Sequence, residues 1–210
     1  MRLVLASNNA KKLAELGALL APAGVELVTQ GSLGIAEADE PHHTFVENAL
    51  VKARHAAAAA GGAAIADDSG LCVAALGGAP GVISAHYASV VLPRDADREA
   101  QRRVQDDANN RLLLERLAGA TDRRAHFIST LIALRAADDP EPLIAVGRWH
   151  GEILHERRGA GGFGYDPLML IPELGKTVAE LAPETKNMHS HRALAARAML
   201  ALLRDVWHLG

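Results

Sequence analysis

Two adjacent carboxylates follow a short apolar stretch in the first third of the chain. Asp67 and Asp68 come directly after residues 63–66, Ala-Ala-Ile-Ala, which predict a short buried strand that ends before Ser69 and Gly70. Burying two carboxylates is costly unless a cation compensates them, and a bound Mg²⁺ would do so with the oxygen ligands it prefers. The alternative is an Asx-type turn in which the aspartates cap backbone groups. The pair is therefore a candidate metal and acid–base site.

A polar turn near the start of the chain is a candidate anion site. Residues 7–12 are Ser-Asn-Asn-Ala-Lys-Lys. A helix that begins there offers free backbone N–H groups to a phosphate, with a lysine in its first turn. The alternative is ordinary helix capping by Ser7 or an asparagine, followed by a solvated lysine pair. The sequence lacks the glycine-rich pattern of a P-loop, so that class of phosphate site is not indicated.

A glycine-rich segment at residues 161–166, Gly-Gly-Phe-Gly-Tyr-Asp, is a third candidate. Glycine lets the backbone approach a ligand closely, and Phe163 or Tyr165 held there would be able to stack on a base. The alternative is a tight connection whose aromatic side chains cover the core. Aromatic residues make up only 3% of the chain, so two of them in one loop favour a ligand role.

Basic residues at the predicted start of the C-terminal helix form a fourth candidate set. Lys186, His191 and Arg192 would oppose the helix macrodipole there. Donation to a phosphate or to a purine carbonyl would explain that conflict, and a solvated basic helix start is the alternative. The chain also has two short histidine pairs, His42-His43 and His189-x-His191. No further Cys or His lies at ligand spacing from either pair, so a transition-metal site is not favoured.

The elements that would position these residues alternate between strand and helix. Apolar spacing predicts strands at 3–6, 25–28, 63–66, 124–135, 143–156 and 167–171, and helices at 11–20, 44–60 and 95–117, before a short helical turn and a long C-terminal helix ending near Trp207. Thr44 and Glu47 match the capping-box pattern. The two long strands are expected to pair antiparallel. This order predicts an α/β fold with a mixed central sheet and flanking helices.

Composition and charge restrict the class of protein. The 210 residues are 49% hydrophobic and 22% charged, with a formal net charge of −3, which is typical of a globular protein without general attraction to nucleic acid or anionic membrane. Cys72 is the only cysteine, so no intrachain disulfide is possible and a reducing compartment fits. The apolar start is too short for a signal peptide, and no stretch has the roughly 18 apolar residues of a membrane span. We therefore expect a cytoplasmic protein.

Six segments taken together resemble one enzyme family. They are Ser7-Asn-Asn-x-x-Lys12, Thr44-Phe-x-Glu-Asn-Ala-x-x-Lys-Ala53, Ala66-Asp-Asp-Ser-Gly-Leu71, Gly77-Gly-Ala-Pro-Gly81, Gly161-Gly-Phe-Gly-Tyr-Asp-Pro167 and Ser190-His-Arg192. With these segments in this order, the chain resembles the inosine/xanthosine triphosphate pyrophosphatases. These are the bacterial dITP/XTP pyrophosphatases of the Ham1-like family. The resemblance extends from about residue 3 to the C-terminal helix.

The resemblance implies a single domain over 1–210, with two lobes around a nucleotide-binding cleft, usually in a homodimer. It implies Mg²⁺-dependent hydrolysis of dITP, ITP and XTP to the monophosphate and pyrophosphate, which keeps these nucleotides out of nucleic acid. Asp68 would be the proton acceptor and, with Glu40, a Mg²⁺ ligand. The residues implied to bind substrate are Ser7, Asn8, Asn9, Ala10, Lys11, Lys12, Lys52, Ser69, Phe163, Gly164, Tyr165, Asp166, Lys186, His191 and Arg192.

Several alternatives stay open at this point. The second metal-binding acid could be Asp39 or Glu37 instead of Glu40, and the base could be Asp67 instead of Asp68. A Maf-like pyrophosphatase acting on other modified nucleotides would be the nearest alternative enzyme. A catalytically silent nucleotide-binding module is a further one, although the acidic pair and the lysine set argue against it.

Overall fold

The computed structural model describes residues 1–93 and 95–209, with only the backbone at Lys11. The chain divides into two compact units, each assembled from segments distant in sequence. The first unit comprises Met1–Ser69, Ile128–Arg148 and Asn187–Gly210, and the second comprises Gly70–Phe127 and Trp149–Lys186. The single two-lobed domain expected over 1–210 stays a prediction.

Seven strands are linked by hydrogen bonds in one sheet. They are β1 (Arg2–Leu5), β2 (Glu26–Thr29), β3 (Ala64–Val73), β4 (Arg124–Leu134), β5 (Leu143–Ile153), β6 (Met169–Ile171) and β7 (Lys176–Thr177). Their order is β2-β1-β3-β4-β5-β6-β7. Strand β1 runs parallel to β2 and β3, whereas β6 runs antiparallel to β5 and β7. The predicted α/β fold with a mixed sheet is therefore confirmed.

Five α-helices accompany the sheet in the described part of the chain. They are α1 (Ala10–Leu20), α2 (Phe45–Ala60), α3 (Arg98–Arg116), α4 (Pro183–His189) and α5 (His191–Asp205). At the start of α2 the Thr44 side chain accepts the backbone N–H of Glu47, as predicted, and Gly61 ends the helix at φ +63°. The Glu47 carboxylate, however, accepts the Thr44 hydroxyl at 2.6 Å. None of the described helices is long and apolar enough to cross a membrane.

The core of the first unit is built from aliphatic and alanine side chains. One buried cluster joins β1, α1 and α5, and includes Leu3, Leu5, Leu16, Leu20, Met199 and Leu203. A second joins the alanine face of α2 to the sheet, and includes Ala49, Ala53, Ala56, Val4, Ala66 and Ile132. Because alanine side chains are small, α2 lies close to the sheet beside the acidic pair of β3.

A glycine allows α5 to approach strand β5 closely. A β-carbon at Gly147 would collide with the backbone carbonyl oxygen of His191 and the backbone nitrogen of Ala195. Backbone atoms cannot move aside as a flexible side chain can, so any larger residue at position 147 would displace the start of α5. Gly147 thereby helps to place the first turn of α5, which carries two of the predicted site residues.

The second unit has a separate core with more aromatic character. Its buried cluster includes Leu113 of α3 and Leu117, which directly follows that helix, and also Phe127, Trp149, Ile153, Tyr165 and Leu168. Two buried amide side chains of α3 extend this core, because Asn109 accepts the backbone N–H of Ala88 at 2.8 Å and Gln105 donates to Asn109 at 2.9 Å. Helix α3 is therefore fixed on one face by apolar contacts and on another by polar ones.

Two predictions about the elements are wrong. Strand β3 does not end at residue 66: it continues through the acidic pair to Val73, so neither a strand end nor an Asx turn describes Asp67 and Asp68. Lys186 does not lie at the start of the C-terminal helix but within the separate helix α4. A break follows at Ser190, whose side chain accepts the backbone N–H of Ala193 and caps α5.

Candidate active site

The acidic pair lies in the interior of β3, where successive side chains point to opposite faces of the sheet. Both residues are buried, with 1% of Asp67 and 6% of Asp68 exposed. Each carboxylate therefore meets a different set of partners and has a different environment.

Asp67 is held by a ring of donors. Its Oδ2 accepts from Arg192 Nε at 3.0 Å and pairs with Lys12 Nζ at 3.2 Å, while its Oδ1 accepts from Ser129 Oγ at 2.8 Å. Burial alone would favour the neutral acid, but Lys12 and Arg192 outweigh it and hold the pKa of Asp67 well below its usual range. Asp67 is therefore a permanent anion that neutralises buried cations.

Only one of the two carboxylate oxygens of Asp68 has a hydrogen-bond partner among the described residues. Its Oδ1 accepts from Lys52 Nζ at 2.8 Å, whereas its Oδ2 is buried with no hydrogen-bond partner among the described residues. Burial raises the pKa of Asp68 to about 6, against the opposing attraction of Lys52. An unpartnered buried oxygen on a carboxylate of raised pKa is suited to accept a proton or to bind a cation.

Lys52 of α2 connects Asp68 to a second acid. Its Nζ donates to Asp68 and to Glu40 Oε2, both at 2.8 Å. Burial would lower the pKa of Lys52, but the two carboxylates outweigh it and raise that pKa. Of the three acids considered for the second metal ligand, Glu40 lies on the same ammonium as Asp68, Glu37 accepts instead from Asn8 at 3.0 Å, and Asp39 is exposed.

The donor set around Asp68 fits a small divalent cation. No cluster of three or more His, Cys, Asp or Glu side chains is present in the described part of the chain. Mg²⁺, however, commonly takes only one or two carboxylates and fills its other positions with water and substrate phosphate. Asp68 and Glu40 already share a cation, the Lys52 ammonium, and Asp68 Oδ2 is free to bind another.

The first turn of α1 shows both capping and a partly buried lysine. Ser7 Oγ accepts the backbone N–H of Asn9 at 3.2 Å, and Asn9 Oδ1 accepts that of Lys12 at 3.3 Å, so the predicted capping interaction is present. Ala10 is the first helical residue. Lys12 is not solvated, because burial lowers its pKa and its Nζ also donates to the backbone carbonyl of Asp67 at 3.2 Å. The side chain of Lys11 lies outside the described part of the structure.

Arg192 is buried in the first turn of α5, with 3% of the residue exposed. Besides Asp67, its guanidinium donates to Glu15 and, at 3.3 Å, to Ser69 Oγ. These carboxylates outweigh burial and raise the pKa of Arg192. The hypothesis of a solvated basic helix start is wrong here, because the charge that opposes the helix dipole is compensated by acids. His191 is also buried and begins α5.

The glycine-rich loop lies in the second unit together with Lys186. The Asp166 carboxylate accepts the backbone N–H of Phe163 at 3.0 Å and the Lys186 ammonium at 2.7 Å. The same ammonium lies 4.5 Å from the centre of the Phe163 ring, within cation–π range. A β-carbon at Gly162, where φ is +75°, would collide with the Asp166 carboxylate. Glycine is therefore required where the loop folds over Asp166.

The ring of Tyr165 lies in the core, unlike that of Phe163, and its predicted contact with substrate stays a prediction. The residue is 5% exposed, lies in the apolar cluster of the second unit, and donates its hydroxyl to the backbone carbonyl of Ser84 at 2.9 Å. Burial raises the pKa of the Tyr165 phenol. The alternative interpretation, an aromatic side chain that covers the core, therefore applies to Tyr165, while Phe163 is half-buried and paired with Lys186.

Some residues of these networks were not predicted from the sequence. Glu15 follows Lys12 by three positions, so both lie on one face of α1, and that spacing was an available signal. Ser129 is a polar residue inside the largely apolar strand β4, and this was a weaker signal. Asp106 and Asn110 of α3 contact the glycine-rich loop across more than fifty residues of sequence, and no local pattern indicated this.

Comparison with known proteins identifies the group to which these features belong. The sequence profile described as the Ham1 family matches residues 3–202. The chain belongs to the Ham1 family. The acidic pair, the first turn of α1 and the glycine-rich loop all fall inside the matched range, so the Ham1 match covers every candidate residue described above.

Relatives named dITP/XTP pyrophosphatase are similar over nearly their full lengths. The chain is 74% identical to the dITP/XTP pyrophosphatase of Methylibium petroleiphilum, with 99% of each chain covered. It is 72% identical to the dITP/XTP pyrophosphatase of Leptothrix cholodnii, with 100% of each covered. Among solved structures, a Ham1 protein from Coxiella burnetii is 41% identical with a TM-score of 0.86, covering 98% of this chain and 100% of that one.

Proposed function

We propose that this chain hydrolyses non-standard purine nucleoside triphosphates, namely dITP, ITP and XTP, to the nucleoside monophosphate and pyrophosphate. Removing these nucleotides prevents their incorporation into nucleic acid. The observation that carries the proposal is the ammonium of Lys52 between Asp68 and Glu40, beside an unpartnered carboxylate oxygen. The relatives named dITP/XTP pyrophosphatase at more than 70% identity support the substrate class.

Asp68 and Glu40 would hold the divalent metal that nucleotide pyrophosphatases generally need, and Mg²⁺ is the ion proposed. When bound, this ion would neutralise charge on phosphate oxygens and orient them for attack by water. The structure supports Glu40 over Glu37 and Asp39, because only Glu40 shares a hydrogen-bond donor with Asp68. The metal assignment needs no other protein ligand, since water and phosphate oxygens complete the coordination of Mg²⁺.

Asp68 is the proposed proton acceptor for the attacking water. A general base works best when its pKa is close to the working pH, and burial raises the pKa of Asp68 to about 6. Asp67 is unsuited to the role, because Lys12 and Arg192 hold its pKa far below that range. Asp67 instead keeps the two cations in place.

The partly buried cations of the first unit are the proposed phosphate ligands. A triphosphate carries about four negative charges near neutral pH, so its hydrolysis depends on positioning and on charge stabilisation. Lys12 and Lys52 would bind phosphate oxygens and stabilise the departing pyrophosphate. Ser7 to Lys11, Ser69, His191 and Arg192 complete the proposed set on this unit.

The glycine-rich loop of the second unit is the proposed site for the purine base. Phe163 would stack on the base, and Lys186 would donate to the 6-carbonyl of inosine and xanthosine. Adenine presents a 6-amino donor instead, which would leave buried donors unpaired, and such mismatches discriminate strongly. Asp166 positions Phe163 and Lys186 for this role.

The assembly and location of the chain are proposals of the same kind. A homodimer is proposed from the family resemblance, and sedimentation of the purified chain will test it. The cytoplasmic location and the absence of direct nucleic acid or membrane binding stay predictions. A Maf-like preference for other modified nucleotides is the alternative function, and a methylated pyrimidine nucleoside triphosphate added to the substrate panel below distinguishes it.

The reaction itself is tested by anion-exchange chromatography after incubation of ITP, XTP, GTP and ATP with enzyme and Mg²⁺. We expect monophosphate and pyrophosphate from ITP and XTP, and far slower turnover of ATP. Release of orthophosphate and a diphosphate would contradict the proposed cleavage position. Asp68→Asn should abolish most turnover while the circular dichroism spectrum stays unchanged.

The metal assignment is tested by comparing three neighbouring acids. Glu40→Gln should raise the Mg²⁺ concentration needed for half-maximal rate about tenfold or more, because one of two protein ligands is lost. Glu37→Gln and Asp39→Asn are the matched controls and should leave that concentration unchanged. A metal requirement that shifts with Glu37 or Asp39 and not with Glu40 would reassign the ligand.

A further inference from the structure

Helix α3 holds both backbone polar groups of Gly164 in the glycine-rich loop. The Asp106 carboxylate accepts the Gly164 N–H at 2.8 Å, and the Asn110 amide donates to the Gly164 carbonyl at 2.8 Å. The two side chains are four residues apart, so they lie on one face of the helix. Together they form a clamp on a single peptide position, and all three residues belong to the second unit.

The orientation of Asn110 is determined by its partners. Its Nδ2 donates to two carbonyl oxygens, that of Gly164 and, at 2.7 Å, that of Asp106. Only the nitrogen of an amide can do so, which fixes the amide. Its Oδ1 is left buried without a hydrogen-bond partner among the described residues. Such a group is destabilising by itself, so the fold tolerates a cost to keep the donor on Gly164.

The partial burial of Asp106 also has a cost. Burial raises its pKa, although the Gly164 N–H and the Arg102 guanidinium favour the carboxylate, and the nearby acids Asp166 and Asp107 add to the rise. The hydrogen bond to the Gly164 N–H is the contact that this partly buried acid provides in return.

Gly164 is a position that needs external anchors. Its φ is +61°, a conformation that glycine enters and leaves easily. The residue joins Phe163 to Tyr165, and Tyr165 is fixed in the core. Rotation of the Gly164 peptide would therefore move the Phe163 ring away from the Lys186 ammonium that lies 4.5 Å from it.

We propose that Asp106 and Asn110 are positioning residues for base recognition: by clamping Gly164, they fix the Phe163 ring in the orientation that stacks on the purine. This inference rests on the proposed function of the loop. It assigns to α3 a part in substrate selectivity, although neither side chain needs to touch the substrate. Loss of either anchor should weaken binding of the base and leave binding of the phosphates intact.

The test compares Asp106→Ala and Asn110→Ala with the conservative variant Asp106→Asn. An asparagine oxygen still accepts the Gly164 N–H, so Asp106→Asn should stay within about twofold of the unsubstituted enzyme. The two alanine variants should raise KM for ITP roughly tenfold with a much smaller change in kcat, and should lower the ratio of kcat/KM for ITP over ATP. Asp107→Asn is the matched control, because Asp107 lies on the same helix and its carboxylate pairs with the exposed Arg157 at 2.7 Å.

Inhibition by pyrophosphate separates positioning from general damage. Pyrophosphate lacks a base, so its inhibition constant should be unchanged in both alanine variants if the clamp acts only through the loop. A parallel rise of KM and of this constant would overturn the proposal, and so would unchanged KM and unchanged ITP/ATP selectivity in both variants.

Hydrogen exchange provides a second measurement that does not depend on turnover. The amides of residues 162–166 should exchange faster in Asp106→Ala than in Asp107→Asn, with other segments unchanged. Unchanged exchange there would also overturn the clamp. An unsubstituted enzyme that releases no pyrophosphate from ITP would instead contradict the proposed function, so the two failures are distinguishable.

Discussion

Asp67→Asn and Asp68→Asn each remove one negative charge from neighbouring positions of β3, and we expect them to change the free energy of unfolding in opposite directions. Burial raises the pKa of Asp68 from its ordinary 3.8 to about 6. One pKa unit corresponds to about 1.4 kcal/mol, so ionised Asp68 destabilises the folded protein by about 3 kcal/mol near pH 8. Asparagine keeps the shape without the charge, and Lys52 retains Glu40. Asp68→Asn should therefore stabilise the metal-free protein by a similar amount.

Asp67→Asn should destabilise the protein. Its buried carboxylate pairs with the buried Arg192 and with Lys12, whose side chain is only 19% exposed. Removing one partner from a buried ion pair leaves an uncompensated charge and typically costs about 3–5 kcal/mol. The loss should be large enough to lower the melting temperature by several degrees.

The effect of Asp68→Asn should depend on pH. A carboxyl whose pKa is raised in the folded state is protonated in both states below its unfolded pKa of about 3.9, so it has no effect there. Above about pH 6 the folded state bears the full cost of ionisation. The stability difference between Asp68→Asn and the unsubstituted protein should thus be near zero at pH 4 and should grow as the pH rises to 7.

Urea denaturation followed by circular dichroism, in the presence of a chelator, measures these differences. Asp107→Asn, an exposed position on α3, is the control and should change stability little. Added Mg²⁺ should then stabilise the unsubstituted protein and not Asp68→Asn, because a ligand stabilises only the state that binds it. Equal destabilisation by Asp67→Asn and Asp68→Asn would refute the assignment of different environments to the two carboxylates.

Three further substitutions test the loop and the placement of α5. Phe163→Ala should raise KM for ITP more than it lowers kcat in initial-rate kinetics. An unchanged KM would mean that this ring has only a structural role. Gly162→Ala should raise KM in the same assay, because the added methyl group at φ +75° collides with the Asp166 carboxylate. Gly147→Ala should lower the free energy of unfolding by about 1–3 kcal/mol in urea denaturation, since the methyl group meets the His191 carbonyl.

The sequence predicted the order of the elements because the apolar spacing of the helices and strands agrees with their packing. It failed at β3, where Asp67-Asp68-Ser69-Gly70 has low strand propensity. Tertiary contacts outweigh that propensity, since the donors that compensate Asp67 come from Lys12, Ser129 and Arg192. No window of sequence around residue 67 contains them.

The separate helices α4 and α5 were within reach of sequence analysis. Ser190 is a strong N-cap residue, and its side chain accepts the Ala193 N–H. A short helical turn was predicted before the C-terminal helix, but Lys186 was assigned to the wrong one of the two. The clamp on Gly164 could not be predicted from the sequence. It joins residues 54 and 58 positions apart, and each of its members is an ordinary polar residue by local pattern.

The charge arrangement of the first unit explains why two aspartates are needed where one would bind a metal. A site that binds a polyanion must keep Lys12, Lys52 and Arg192 close together before substrate arrives, and their repulsion would otherwise separate them. Asp67 pairs with two of these cations, Lys12 and Arg192, and a substrate would not need to break these contacts in order to bind. Lys52 instead pairs with Asp68 and with Glu40, whose side chain is 45% exposed. The Asp68–Lys52–Glu40 contacts are therefore the part that substrate would rearrange. In the proposed function Asp68 and Glu40 would hold the divalent ion and Lys52 would bind phosphate, so each group would keep a partner of opposite charge.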